Sequence, residues 1–339
     1  SSSCRMSKGL VHVFNAGGHR ATYRDFLARR LGLDSATGRI GWAMGRRLIR
    51  ADQLLFGTIG GRTSFKAVLI ALVRACRGKR TSAICMGGDW YKDEDRPFRS
   101  AVTLILYRSL DTIGSLKVYS IIPYELMPEL ARTTSDWILD LCLWDLPGCP
   151  AGDPLPQTGL SNRVAEAAHG RLIVLFLGRA TPRKSYSELL GLARIIGSRA
   201  LIVTAGQVSE ECRADAATFR EMGAIVEDRR ISEDELISLY GIADYVWCRY
   251  DESSSSISSG VFGRAVQLGR AAVVPAGGYL DRLARLLAHP VVHDLEAETL
   301  AKSAQLPRQI DRRSPSSEHR QDRLTAMASE SLRKLASNL

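Results

Sequence analysis

Short apolar runs alternate with stretches whose apolar residues recur every three or four positions, from Leu10 almost to the end of the chain. The runs at 10–14, 53–59, 82–86, 117–122 and 138–143 predict strands. Between them, Phe26, Leu27 and Leu31 share a helical face, and the patterns at 64–77 and 98–110 predict two further helices. A second alternating series follows, with strands expected at 172–177, 200–204, 224–227, 245–248, 272–275 and 291–293. Such alternation predicts an α/β protein whose parallel sheets are covered by helices. At 339 residues the chain is longer than one hydrophobic core usually serves, so two doubly wound, Rossmann-like halves facing a cleft are expected. Four prolines lie between Pro147 and Pro156, with Gly148, Gly152 and Gly159 nearby, and they mark the expected link. The predicted domains are 1–160 and 161–315; residues 316–339 form a terminal helix with Leu324, Met327, Leu332 and Leu335 near one face.

Two turns in the second half carry candidate chemistry. Gly178 and Arg179 follow the run at 172–177, and Arg183 and Lys184 precede the next helical pattern. Arg179 and Lys184 are five apart across a turn, close enough for both to reach one diphosphate; a solvated basic turn is the alternative. The other turn runs from Asp251 through a series of serines to Ser258, Ser259 and Gly260, where a helix is expected to begin. Hydroxyls there can cap the helix or help its unpaired N–H groups hold an oxyanion; a serine-rich flexible loop is the plainer reading. Both turns leave a strand and start a helix, so they fall at the same edge of one sheet, where phosphates bind.

With these turns, the segments Ile231-Ser232-Glu233-Asp234-Glu235-Leu236, Tyr240, Ala243-Asp244, Gly269 and Val273-Val274-Pro275-Ala276-Gly277-Gly278 complete a recognisable order. Residues 170–280 resemble the donor-binding half of GT-B glycosyltransferases of the large family 4 type. The first half is similar only in its Gly17-Gly18 turn and general pattern. The resemblance implies a GT-B fold, a nucleotide diphospho-sugar donor without other cofactor or metal, an acceptor on the first half, and a terminal helix that crosses back to it. It places Gly178, Arg179, Lys184, Ser258, Ser259 and Gly260 at the donor. Members of that family usually carry two glutamates with seven residues between them; here the corresponding positions are Ser256 and Arg264. Glu252 is the nearest acidic residue that could take the first role. A non-catalytic nucleotide-binding relative and a sugar-nucleotide epimerase are therefore the alternatives to a hexosyl transferase.

In the first half, Asp89 follows a strand and Gly87-Gly88, so it is expected at a sheet edge, either as general base toward an acceptor hydroxyl or as a turn cap. Gly17, Gly18 and His19 are the other acceptor-side candidates, with a surface histidine as the plain reading of His19. Charge is concentrated at this end. Residues 1–80 hold 16 Lys and Arg against 3 Asp and Glu, while the whole chain has a net charge of +10. No aromatic interleaving or reader motif points to nucleic acid, so an anionic membrane surface is the expected partner. Residues 64–80 could present Lys66, Arg74, Arg77, Lys79 and Arg80 to it as a basic amphipathic helix, or serve as core with a solvated tip. Arg46, Arg47 and Arg50 would extend that positive face. No apolar run is long enough to span a bilayer and no charged-then-apolar leader is evident, which predicts a cytoplasmic protein peripheral to the membrane's inner face. Its acceptor would be lipid-linked or a polysaccharide. The seven scattered cysteines lack ligand spacing and read as buried reduced thiols.

Overall fold

The computed structural model describes residues 9–15, 17, 19–145, 155–251, 258–293 and 315–339. The chain divides into two units, one of Ser1–Leu141 with Thr325–Leu339, the other of Cys142–Leu324. In the first, β1 (Gly9–Val13), α1 (His19–Leu31), β2 (Asp34–Thr37), α2 (Trp42–Arg50), β3 (Gln53–Ile59), α3 (Ser64–Ala75), β4 (Thr81–Cys85), α4 (Pro97–Thr112), β5 (Leu116–Ser120) and β6 (Asp136–Trp137) follow in order. They form a six-stranded sheet, β2-β1-β3-β4-β5-β6, with every pair parallel. The second unit runs α5 (Gly159–Ala168), β7 (Leu172–Leu177), α6 (Tyr186–Ile196), β8 (Ala200–Ala205), α7 (Arg213–Glu221), β9 (Ile225–Glu227) and α8 (Glu233–Ile242). It continues with β10 (Tyr245–Trp247), α9 (Gly260–Gln267), β11 (Ala271–Val274), α10 (Tyr279–Leu286) and β12 (Val291–His293). Its sheet is also parallel, in the order β12-β11-β10-β7-β8-β9. The last helix is α11 (Pro315–Ser337).

Burial explains which strands the sequence announces. Strands β1, β4, β7 and β8 are buried at every residue, as parallel strands covered on both faces must be. Strand β2 carries no such run: its Asp34 and Ser35 are exposed and it pairs only with β1, so nothing in Asp-Ser-Ala-Thr predicted it. Helix α2 was likewise not expected. The run at 138–143 is a different case, because the ladder ends at Trp137 and Leu141–Leu143 form a 3₁₀ turn. Ile138 and Leu139 are buried there, and the Leu139 N–H donates to the Ser331 hydroxyl of α11 at 2.8 Å instead of to a strand. The same helix places the Lys334 ammonium 2.9 Å from Asp136 and accepts a hydrogen bond from the Tyr119 hydroxyl at the Lys334 carbonyl. Most of the predicted link at 147–156 lies outside the described residues. Of the cysteines described, four are buried and Cys76 is exposed. Among the described residues no helix is long and apolar enough to cross a membrane.

The basic face expected on 64–80 needs a correction. Helix α3 ends at Ala75, and Arg74 is fully buried. Its guanidinium donates to the carbonyls of Leu48 (2.9 Å), Ala51 (2.5 Å), Asp52 (3.2 Å) and Arg80 (2.7 Å), and to the Thr81 hydroxyl (3.0 Å). Burial lowers its pKa to about 10, so it remains charged at neutral pH. Lys79 is drawn to the same segment, with its ammonium 2.6 Å from the Arg50 carbonyl and 3.1 Å from Asp52. These two cations close the connections from α2 into β3 and from α3 into β4, and Arg74 cannot face a lipid. Replacing Arg74 by Met should leave those buried carbonyls without donors and cost about 3 kcal/mol or more. Urea unfolding followed by tryptophan fluorescence should show that loss; an unchanged midpoint would remove Arg74 from this role.

Candidate functional site

In an open parallel sheet a crevice forms outside the carboxyl ends of the two strands where strand order reverses. In the second unit that reversal falls between β7 and β10. The loops leaving these strands are the two turns singled out in the sequence, and the structure ties them together. The Asp251 N–H donates to the Arg183 carbonyl at 3.0 Å, and the Trp247 indole N–H lies 3.3 Å from the Lys184 carbonyl. Gly178 turns the first loop with φ +87°, and a Cβ on it would lie 2.7 Å from the Lys184 ammonium. Lys184 folds back beneath this glycine, 3.2 Å from the Leu177 carbonyl and above the ring of Phe176. Burial lowers its pKa, and among the described residues no carboxylate pairs with it. Gly206, at the end of β8, packs so closely on the Gly178 carbonyl that a side chain would collide with that backbone. Arg179 is exposed beside the loop.

At its described end the serine turn caps a helix. The Ser259 hydroxyl accepts from the Phe262 N–H at 3.1 Å as the N-cap of α9 and contacts the Tyr250 hydroxyl at 2.6 Å. Gly260 is the first residue of that helix, and Ser258 precedes the cap. Glu252 and Ser256 lie outside the described residues, as does Gly18. At the other position where the resemblance leads one to expect glutamate, Arg264 is buried and its guanidinium ion-pairs with the equally buried Asp145. The Gln267 side-chain amide donates a hydrogen bond to Asp145 at 3.1 Å and another to the Cys142 carbonyl at 2.5 Å. The cation is thus satisfied inside the fold.

In the first unit the order reverses between β1 and β3, and a cavity of about 950 Å³ opens at that place. Phe14 and Asn15 after β1, Gly60 and Gly61 after β3, and Met86 and Gly87 after β4 form its walls. Asp89 lines it, exposed, with its carboxylate 2.7 Å from the Lys92 ammonium. The turn bearing Asp89 is fixed by Trp90, which is buried. The Trp90 indole N–H donates to the Thr133 carbonyl at 2.8 Å, and the Trp90 carbonyl accepts from the Gly61 N–H at 2.8 Å. The Gly17 N–H donates to the Asn15 side chain, and His19 opens α1. Sequence reasoning missed Arg20, Arg39, Arg62, Arg96 and Arg99 as cavity residues and read Lys66 as part of a lipid face. For Arg20, Arg39, Arg62 and Lys66 the signal was present in the basic excess of residues 1–80, but its destination was not; Arg96 and Arg99 lie beyond that segment.

No protein-family model and no curated protein sequence matches the chain. Solved structures do. HepE of Anabaena in complex with UDP aligns over 97% of this chain and 99% of its own, with a TM-score of 0.63 and 10% identity. The chain has a GT-B fold. Other GT-B neighbours are a UDP-forming trehalose-phosphate synthase of Burkholderia vietnamiensis (TM-score 0.56, 9% identity, 97% and 98% covered) and one of Burkholderia xenovorans in complex with glucose-6-phosphate. The latter has a TM-score of 0.53 and 10% identity, with 94% and 75% covered. At such identities the likeness concerns the fold, and the residues of the GT-B second unit must be judged on their own contacts. Arg264→Glu would restore the acidic residue the resemblance leads one to expect but would set it against Asp145. We expect a loss of about 3–5 kcal/mol in the stability of the second unit, measured by denaturant unfolding. Stability at or above wild type would mean that the pair is not a structural link.

Proposed function

We propose that the chain is a glycosyltransferase that moves a sugar from a nucleotide diphosphate donor to an acceptor hydroxyl. The observation that carries this reading is the half-buried ammonium of Lys184, held under Gly178 at the strand-order reversal of the second sheet without a carboxylate partner among the described residues. A diphosphate beside it would gain a charge-assisted contact in a partly desolvated setting, with Arg179 able to add a planar fork from the exposed side. The backbone at Gly260, where α9 begins, would offer a second set of donors. The relatives in fold support the same donor class: HepE was solved with UDP and with UDP-glucose, and the synthases are UDP-forming.

In the reaction the bond from the sugar's anomeric carbon to the donor phosphate breaks, the nucleoside diphosphate leaves, and a bond to the acceptor oxygen forms. The acceptor's proton must go to a base. Asp89 is our candidate if the anomeric configuration inverts, since its carboxylate, 2.7 Å from the Lys92 ammonium, lines the first unit's cavity. Glu252 remains the candidate near the donor sugar. The engagement of Arg264 with Asp145 favours one second reading, a relative that binds nucleotide without turning it over. Nucleotide affinity with no transfer to any acceptor would distinguish it.

The acceptor side also supports membrane contact, on different grounds from the sequence expectation. Trp42 is 78% exposed and Phe98 82% exposed, and Arg46 stacks over the Trp42 ring at 4.5 Å. Aromatic rings beside cations suit a lipid interface. Trp42→Ala with Phe98→Ala should reduce sedimentation with acidic vesicles several-fold; binding indifferent to both changes and to salt would exclude the contact.

Lys184→Ala should weaken UDP binding by roughly tenfold or more in calorimetric titration. Because burial lowers the Lys184 pKa, the charged form that attracts diphosphate is lost as pH rises, and at a lower pH than for an ordinary lysine. Wild-type affinity should therefore fall in the alkaline range, and that fall should be absent from Lys184→Ala. Equal UDP affinity in the two proteins would overturn the phosphate assignment.

A further inference from the structure

The cavity at the β1/β3 reversal holds more positive charge than its own acids neutralise. Its three carboxylates are engaged: Asp89 with Lys92, Asp95 with Arg62, and Asp93 between Arg62 at 3.9 Å and Arg99 at 3.6 Å. Four further cations line it, namely Arg20, Arg39, Lys66 and Arg96, all exposed to solvent. None of the four has an acidic partner among the described residues.

A second observation concerns the helices that start there. Arg20 lies in the first turn of α1, Lys66 in the first turn of α3, and Arg96 is the N-cap of α4. The N-terminus of a helix carries a partial positive charge that favours acids and disfavours bases. No acidic residue stands in the first turn of α1, α3 or α4; α2, α5 and α9 also lack one, whereas α6, α7, α8 and α10 each carry one or more, and only at α1, α3 and α4 does a base of the cavity stand at the helix start. Three helices therefore point uncompensated dipoles at the cavity and add a base where a base is unfavourable. Local preference is broken in the same direction at three independent positions around one cavity, as expected where a ligand supplies the missing negative charge.

We propose that this cavity binds a phosphoryl group of the acceptor, so that the acceptor is a phosphate ester or a diphosphate. The proposal rests on reading the first unit as the acceptor side. Four unpaired cations and three helix termini suit a group with two or more negative charges, and they exceed what a single carboxylate would need. With the phosphoryl group held there, the rest of the acceptor remains in the cavity that Asp89 lines.

The test is calorimetric titration of the whole chain with glucose 6-phosphate, farnesyl diphosphate, inorganic pyrophosphate, unphosphorylated glucose and UDP. At least one phosphorylated probe other than UDP should bind, and glucose should not. Lys66→Ala and Arg96→Ala, both at exposed positions that do not support the core, should each weaken that binding by roughly tenfold while UDP affinity stays unchanged. Lys184→Ala should do the reverse. Preference for glucose 6-phosphate would identify a soluble sugar phosphate as the source, and preference for farnesyl diphosphate a lipid-linked one. Phosphate binding that survives the Lys66→Ala, Arg96→Ala double variant, or no binding of any phosphorylated probe except UDP, would overturn the proposal. Loss of UDP binding alone would overturn the donor assignment and leave this site standing.

Discussion

A parallel strand can be followed by another only after the chain has crossed a face of the sheet, so every strand exit and every helix start falls at one edge. Both units obey this constraint, and in both the order reverses once, between β1 and β3 and between β7 and β10. Both ligand sites proposed for the chain sit at those two reversals. The strands themselves supply no chemistry, because they are buried apolar runs whose backbone groups are consumed in the ladders. What they supply is position: strand-to-helix loops of 4 to 12 residues become neighbours across a fixed strand spacing of about 4.8 Å, and helix N–H groups point at whatever occupies the gap.

Given that frame, the informative question is where each cation goes. Arg74 and Lys79 are spent on backbone carbonyls that the turns around Ala51 leave unpaired, a structural use that helix-face periodicity cannot separate from a lipid-facing one. Arg264 is spent on Asp145. Lys184 differs from these, since its partners among the described residues are one carbonyl and an aromatic face, neither of which carries a full negative charge. A half-buried cation without an anion is unfavourable unless a ligand completes the site, and this is why the residue argues for an anionic ligand more strongly than exposed Arg179 does.

How much could be read beforehand follows from the same physics. Strands β3, β7 and β8 are covered on both faces, so their composition alone announces them. Strand β2 is a short polar edge that leaves no apolar run, whereas the nine residues of α2 do carry an apolar face of Met44, Leu48 and Ile49 and were read only for their arginines. The Gly178 to Lys184 turn was legible because its spacing is local. The first unit's cavity was not, because Arg20, Arg39, Lys66 and Arg96 come from four different connections and meet only through strand order. Composition recorded their charge without their convergence.

The two reversals thus present positive charge by opposite means. In the second unit a single ammonium is partly withdrawn from water under a glycine turn, so its attraction for phosphate is stronger per charge and less screened by salt. In the first, several solvated side chains stand around an open cavity of about 950 Å³, each weak alone and screened by ions, yet reinforced by three helix termini. The first arrangement suits a group of fixed geometry, as the diphosphate of a nucleotide donor is. The second tolerates variation in what is attached to the anion, because flexible arginine and lysine side chains can follow a displaced phosphate at little cost. A transferase that takes one donor and must orient a larger, more variable partner would need that division, and the contrast between Lys184 and the Arg20, Arg39, Lys66 and Arg96 set provides it.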